Sequence, residues 1–438
     1  MALGGGTFLV QNKVLPGAYI NVISKARADA TLADRGKATM GLELDWGPDG
    51  EVFEVTGGDL QKNSLKLFGY DYTNDKLKGL RDLFTGGTKM LYAYRLNSGA
   101  KAKSTISEAA HSGLRGNDIW HSVAVNVDDE TRFDVLTYWD TKLMDSQTVA
   151  SAEELTDVAH VVTFDKNAAL TATAKIKLTG GTNGTVDGSS HQEYLDHIEP
   201  YSYNAIGVCT TEATIKKLYV AFNKRLRDEV GTKSQCVVYG YAADYEGAVN
   251  VKNKVVADAL WSEASLVYWV TGLIASCNVN ASNTNKKYNG DFEVLATYTQ
   301  SELEKAIKAG EFTLHQVGSD IRVLTDINSL VTTTLEKGSI FKDNKTMRIA
   351  DQIANDTAVL FATKYLGIVP NGQDGRMSLW NDLVKLRNDL QKIGAIENFT
   401  DDLVTVVEGD GKNDVAVTDG PLDVVGTMEK FYMTTILA

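Results

Sequence analysis

Ala205-Ile206-Gly207-Val208-Cys209, a helical stretch from about Ala213 to Val230, Gly231, and then Cys236-Val237-Val238-Tyr239 form the passage that decides the fold. Both short runs are apolar without alternation, the pattern of strands covered on two faces. Between them Ile215, Leu218, Phe222 and Leu226 make one helical stripe, with Thr210 or Thr211 as N-cap and Gly231 as the stop. Strand, helix, strand at this spacing predicts a βαβ unit, and so a parallel sheet under helices. Further helices are expected over about 257–276 and 301–309.

Upstream, about 97–188 reads as β. Trp120 to Val127 and Arg132 to Trp139 are strand-length runs joined by Asp128-Asp129-Glu130-Thr131, a loop suited to a hairpin. Val161 to Phe164 and Ala174 to Leu178 continue the theme, and Thr179 to Thr185 is a glycine-bearing loop. Before that, 25–96 is mixed, with a short helix over Leu77 to Phe84 and a strand over Lys89 to Arg95. Downstream, helices are expected over Thr346 to Tyr365 and Ser378 to Ile393. In the second, Leu379, Leu383, Leu386, Leu390 and Ile393 form a seam for another helix. Strands return at Leu403 to Val407 and Val415 to Val417.

Each end of the chain carries a strand-like run. Thr7, Phe8, Leu9 and Val10 precede a turn at Leu15-Pro16-Gly17, and Phe431, Tyr432, Met433, Thr434, Thr435, Ile436 and Leu437 close the chain. The second run is partly apolar on both faces. It either closes its own sheet or pairs with another copy by strand addition. Ends that pair with different neighbours link copies head to tail, and such contacts build rings stacked into filaments.

Lys+Arg number 44 and Asp+Glu 57, a formal net charge of −13. That field opposes binding to nucleic acid or anionic lipid. Cys209, Cys236 and Cys277 are scattered, with no metal-like spacing and no disulfide framework, so buried thiols in a reducing compartment are expected. The start has no basic region before an apolar core, and the apolar stretch near Leu260 to Ala275 is interrupted by Glu263, so neither a signal peptide nor a membrane span is expected.

No Gly-rich loop is followed by Lys-Ser/Thr, and no Gly-x-Ser-x-Gly elbow exists. His191 and His197 sit six apart, on different faces of a helix, and are expected to be exposed or capping. Carboxylate pairs such as Asp128-Asp129 and Asp401-Asp402 fit loops and helix starts. No catalytic residue, cofactor site or metal site is expected.

Four short motifs carry a family resemblance: Leu15-Pro16-Gly17-Ala18-Tyr19-Ile20, Ser112-Gly113-Leu114-Arg115-Gly116-Asn117-Asp118-Ile119, Leu178-Thr179-Gly180-Gly181-Thr182-Asn183-Gly184, and Ile327-Asn328-Ser329-Leu330-Val331-Thr332. In this order the chain resembles contractile tail sheath proteins of phages and phage-derived particles of the Gram-positive, defective-prophage type. The resemblance implies a mixed α+β and α/β multidomain fold: an arm at 1–20, the first part of the core at 21–96, a β-rich inserted domain at 97–188, a subtilisin-like α/β domain without a triad at 189–335, and an α+β C-terminal domain at 336–438. It implies terminal arms exchanged between subunits, with Thr7 to Val10 and Phe431 to Leu437 as the arm segments. The implied partners are further copies in stacked six-subunit rings, the inner tail tube protein, the baseplate and the tail terminator, with no nucleic acid and no membrane insertion. Assembly in a bacterial host cytoplasm is expected, the product being a virion tail or a headless bacteriocin-like particle. Two rival readings are an α/β hydrolase and a monomeric β-domain adhesin.

Overall fold

The computed structural model describes residues 32–437. The Thr7 to Val10 run and the first quoted motif lie outside the described residues.

The βαβ expectation holds. Ala205–Val208 and Gln235–Tyr239 are parallel neighbours, with Ala213–Arg225 crossing between them. They belong to a seven-stranded sheet ordered Glu311–Phe312, Ala248–Val251, Gln235–Tyr239, Ala205–Val208, Lys37–Leu42, Met90–Arg95, Val52–Thr56. Every pairing is parallel except that of the last strand, Val52–Thr56, on Met90–Arg95. The sheet therefore draws on both sides of the β-rich insert, and the segment read as mixed supplies three of its strands, among them Lys37–Leu42, which lies inside the sheet between Met90–Arg95 and Ala205–Val208.

Alternate residues feed opposite cores, as strand geometry requires. Ala38, Met40, Val237 and Tyr239 face a core built with Leu80, Leu83 and the helix Leu266–Ser276. Ile206, Val208, Cys236 and Val238 face a second core with Tyr194, Leu195, Ile215 and Tyr219, from the helices Gly188–Ile198 and Ala213–Arg225. The helix Leu266–Ser276 is buried from Leu266 to Ala275. It passes so close to Lys78–Thr85 that a Cβ on Gly272 would lie 2.0 Å from the Leu83 carbonyl oxygen.

Three expectations need correction here. The helix expected from 257 begins only at Leu266, because Asp258 Oδ1 takes the amides of Leu260 and Trp261 into a turn. The N-cap of Ala213–Arg225 is Glu212, while Thr210 Oγ1 accepts from the Glu212 amide one step earlier. His191 is buried rather than exposed, its Nδ1 lying 2.8 Å from the Tyr219 hydroxyl.

The insert carries two antiparallel sheets. One orders Thr173–Lys177, Ile119–Val125, Phe133–Trp139 and Lys142–Val149; the other orders Lys101–Lys103, Ser107–Ser112 and Val162–Phe164. The expected hairpin is present, with Ile119 opposite Trp139 and Val125 opposite Phe133. Beyond the central sheet, Asn344–Leu360 and Gln373–Lys392 pack through Ile349, Leu360, Leu379, Leu383, Leu386 and Leu390. Ile393, read as part of that seam, is 40% exposed and ends it.

Candidate functional site

The last helix is followed by two small antiparallel pairings. Val404–Glu408 and Val415–Asp419 form a hairpin, and Ile396–Glu397 pairs with Asp423–Val424. The Val425 amide then donates to the Ala395 carbonyl at 3.1 Å. Further on, the Glu429 carboxylate accepts from the hydroxyls of Thr284 at 2.6 Å and Thr325 at 3.2 Å, both on the central domain. Among the described residues no strand pairs with 430–437. Phe431 is 84%, Ile436 88% and Leu437 91% exposed, so the strand expected here carries no ladder within its own chain. Burying such a side chain is worth roughly 1.5–3 kcal/mol, which makes the run a surface in need of cover.

The hairpin is a two-stranded sheet with both outer edges free of other strands among the described residues. Beside it runs a groove of about 530 Å³, lined by Gln373, Arg376, Met377, Trp380 and residues 404–408. Trp380 Nε1 donates to the Val404 carbonyl at 2.8 Å and fixes the floor. An open strand edge beside an apolar groove has the donors, acceptors and pockets that strand addition uses.

The quoted motifs inside the described residues are joints between domains. Asn117 bonds the backbone of Gly181 in both directions, so the second and third motifs meet. Asn183, in the third, donates to Asp45 Oδ1 at 2.7 Å. Arg95, buried at the end of its strand, donates from Nη1 to the Ser112 carbonyl at 2.7 Å and pairs with Asp49 at 3.2 Å. Trp46, from the turn after Lys37–Leu42, sits in the insert core against Trp139, ring centroids 4.8 Å apart. In the fourth motif Asn328 donates to the Phe341 carbonyl at 2.7 Å and Ser329 to that of Tyr245 at 2.9 Å.

A polar seam ties the C-terminal domain to the sheet. Arg227 and Asp351 form a bidentate pair with both bonds 2.7 Å, and Arg348 meets Asp326 at 2.8 Å with both side chains fully buried. Sequence reasoning missed these residues. Charged residues inside a helical pattern read as a solvated face, and only the fold shows that this face meets the sheet.

One constellation superficially resembles a nucleophilic triad. Ser107 Oγ lies 2.6 Å from His121 Nε2, and His121 Nδ1 is 3.1 Å from Thr137 Oγ1. All three are buried in the insert core, no carboxylate orients the ring, and burial holds the imidazole down to about 4. It is a core histidine with its hydrogen bonds met. At the carboxyl ends of the strands lies a crevice of about 500 Å³ lined by Glu43, Asp45, Asp187, Cys209 and Glu212. Burial raises the Cys209 thiol, which disfavours the nucleophilic thiolate. No group of three or more His, Cys, Asp or Glu suited to a metal occurs among the described residues. Likewise, no helix among them is long and apolar enough to cross a membrane.

Comparison with known proteins gives matches along most of the chain. Residues 35–96 match the tail sheath protein Gp18 domain III N-terminal region, and 97–183 the phage tail sheath protein beta-sandwich domain. Residues 184–329 match the phage tail sheath protein central domain, and 336–438 the phage tail sheath C-terminal domain. The phage-like element PBSX protein XkdK of Bacillus subtilis is 31% identical, over 98% of this chain and 99% of that one. A tail sheath protein of Clostridium phage phiCD119 is 30% identical over 49% of this chain and 61% of its own length. Among solved structures, the sheath tail protein of Desulfitobacterium hafniense superposes with TM-score 0.80 at 34% identity, covering 95% of this chain and 99% of that one. The contracted helical sheath of the anti-feeding prophage, 12% identical with TM-score 0.57 over 97% of this chain and 99% of that one, shares the fold.

Proposed function

The chain belongs to the phage tail sheath family, a family of structural proteins rather than enzymes, and from that premise we propose that it polymerises as stacked six-subunit rings around an inner tail tube and shortens to drive the tube through a bacterial envelope. The observation that carries the reading is the exposed apolar run Phe431 to Leu437, unpaired within its own described chain and close in type to what an open hairpin edge accepts. In this reading Thr7 to Val10 and Phe431 to Leu437 are donated to neighbouring copies, and Val404–Glu408 with Val415–Asp419 receives them. The domain with the parallel sheet is taken as subtilisin-like in topology and used as a rigid body without a triad.

Contraction then needs no nucleotide. Interfaces better satisfied in the short form supply the work, and a gap of even ~1 kcal/mol per subunit, summed along a tail, drives an all-or-none change. Baseplate and tail-terminator proteins are the partners at the two ends of such a tube. Solved structures that share this fold include the anti-feeding prophage baseplate and its contracted helical sheath, which supports that assignment. Assembly takes place in the host cytoplasm, and the product is a virion tail or a headless phage-tail-like particle.

The test is deletion of residues 1–12, and separately of 430–438, in the full chain. Each variant is expected to keep wild-type circular dichroism and Tm, and to form no tubes in negative-stain micrographs at concentrations where wild type does. Abundant normal tubes from either truncation would refute arm exchange.

A further inference from the structure

We propose that Glu429 is a releasable root for the C-terminal arm, setting the length of free chain between the donated strand and the body that donates it. This rests on the arm-exchange reading above. Upstream, the chain is last held where the Val425 amide meets the Ala395 carbonyl. From there to Leu437 the only side-chain bonds among the described residues are those of Glu429 to Thr284 and Thr325.

The socket is built in advance. Thr284 Oγ1 accepts from the Asp326 amide at 3.0 Å and from the Ser282 hydroxyl at 3.0 Å, so its own proton is left to point at Glu429. Asp326 in turn is fixed by the buried Arg348 and by Asn344. The receiving side is therefore part of the rigid seam, while Glu429 and its flanks are exposed. A carboxylate held by hydroxyls at the surface exchanges readily with water, so the root can open without disturbing the core.

Length makes the root consequential. With Glu429 engaged, Lys430 alone separates the anchored point from the strand-forming run that starts at Phe431. With it released, the four residues Gly426 to Glu429 join Lys430 as spacer, which adds roughly 14 Å at about 3.4 Å per residue. The same donated strand can then stay seated while donor and acceptor move apart. A polymer that changes length without breaking its links needs such slack.

The experiment uses the full chain with Glu429→Ala and, separately, Thr325→Val. In monomers carrying Cys209→Ser, spin labels at Met428→Cys and Lys287→Cys report the position of the root by electron–electron distance measurement. A narrow distribution is expected with Glu429 present. It should become at least twice as wide in E429A and widen partly in T325V, with Tm unchanged. E429A tubes should show a wider spread of axial repeat than wild type. Unchanged distances in monomers, or an unchanged repeat in tubes, would overturn the root. Tubes from the chain lacking 430–438 would instead overturn arm exchange, so the two failures are told apart.

Discussion

The side-chain amide of Asn117 and the backbone of Gly181 share two hydrogen bonds, Nδ2 donating to the carbonyl at 2.8 Å and Oδ1 accepting from the amide at 2.9 Å. One residue lies near the start of the inserted domain and the other near its end, so the pair closes the neck through which the insert joins the sheet. Asn117→Asp keeps the acceptor but turns the donor into a second acceptor facing a carbonyl. The expected cost is about 1–3 kcal/mol. It is measurable by urea denaturation, with limited proteolysis shifting to cuts near 97–100 and 179–186.

The Arg227–Asp351 pair yields a sharper contrast. Its side chains are 4% and 7% exposed, so the guanidinium depends on its partner for compensation. Asp351→Asn leaves a buried unpaired charge and is expected to cost on the order of 3–5 kcal/mol. The double variant Arg227→Met with Asp351→Leu removes both charges and should lose far less. Chemical denaturation of Arg227→Met, Asp351→Leu and the double variant beside wild type completes the cycle.

Asp82 makes stability depend on pH. Burial is the main reason its carboxyl is raised from 3.8 to about 6, against the opposing bonds from the Asp291 amide and the Tyr288 hydroxyl. Between those values the folded protein holds a proton that the unfolded chain has lost. Its contribution therefore improves as pH falls through about 6 and is complete below 3.8. Above pH 6 the buried charge costs on the order of 3 kcal/mol. Asp82→Asn should remove this slope: relative to wild type it gains stability at pH 7.5 and loses that advantage at pH 4.5. Unfolding free energies of both proteins at the two pH values decide it.

The parts of the fold legible in the sequence are those whose local pattern and tertiary role agree. Ala205–Val208 and Gln235–Tyr239 are apolar throughout because both their faces are covered, and Leu379, Leu383, Leu386 and Leu390 line one side of a helix because that side is buried. Lys37–Leu42 was not legible. Its residues, Lys-Ala-Thr-Met-Gly-Leu, are poor strand formers, and the sheet position alone makes them a strand, between Met90–Arg95 and Ala205–Val208. Gly188–Ile198 did carry a local signal, since Asp187 caps it through the Ser189 and Ser190 amides. At the assembly surface, the apolar run Phe431 to Leu437 could be read from the chain. Its attachment could not, because Thr284 and Thr325 meet Glu429 only through the folded body.

The interior strand Lys37–Leu42 also sets a problem of timing for the ribosome. Lys37–Leu42 finds one neighbour in Met90–Arg95 soon after it emerges, but its other edge waits for Ala205–Val208. At roughly 5–20 residues per second, that edge stands open for several seconds of translation. The insert emerges whole within the interval, and once folded it draws its two ends together at the neck. A long and entropically costly closure becomes a short one, and the exposed edge is spared other nascent chains while it waits.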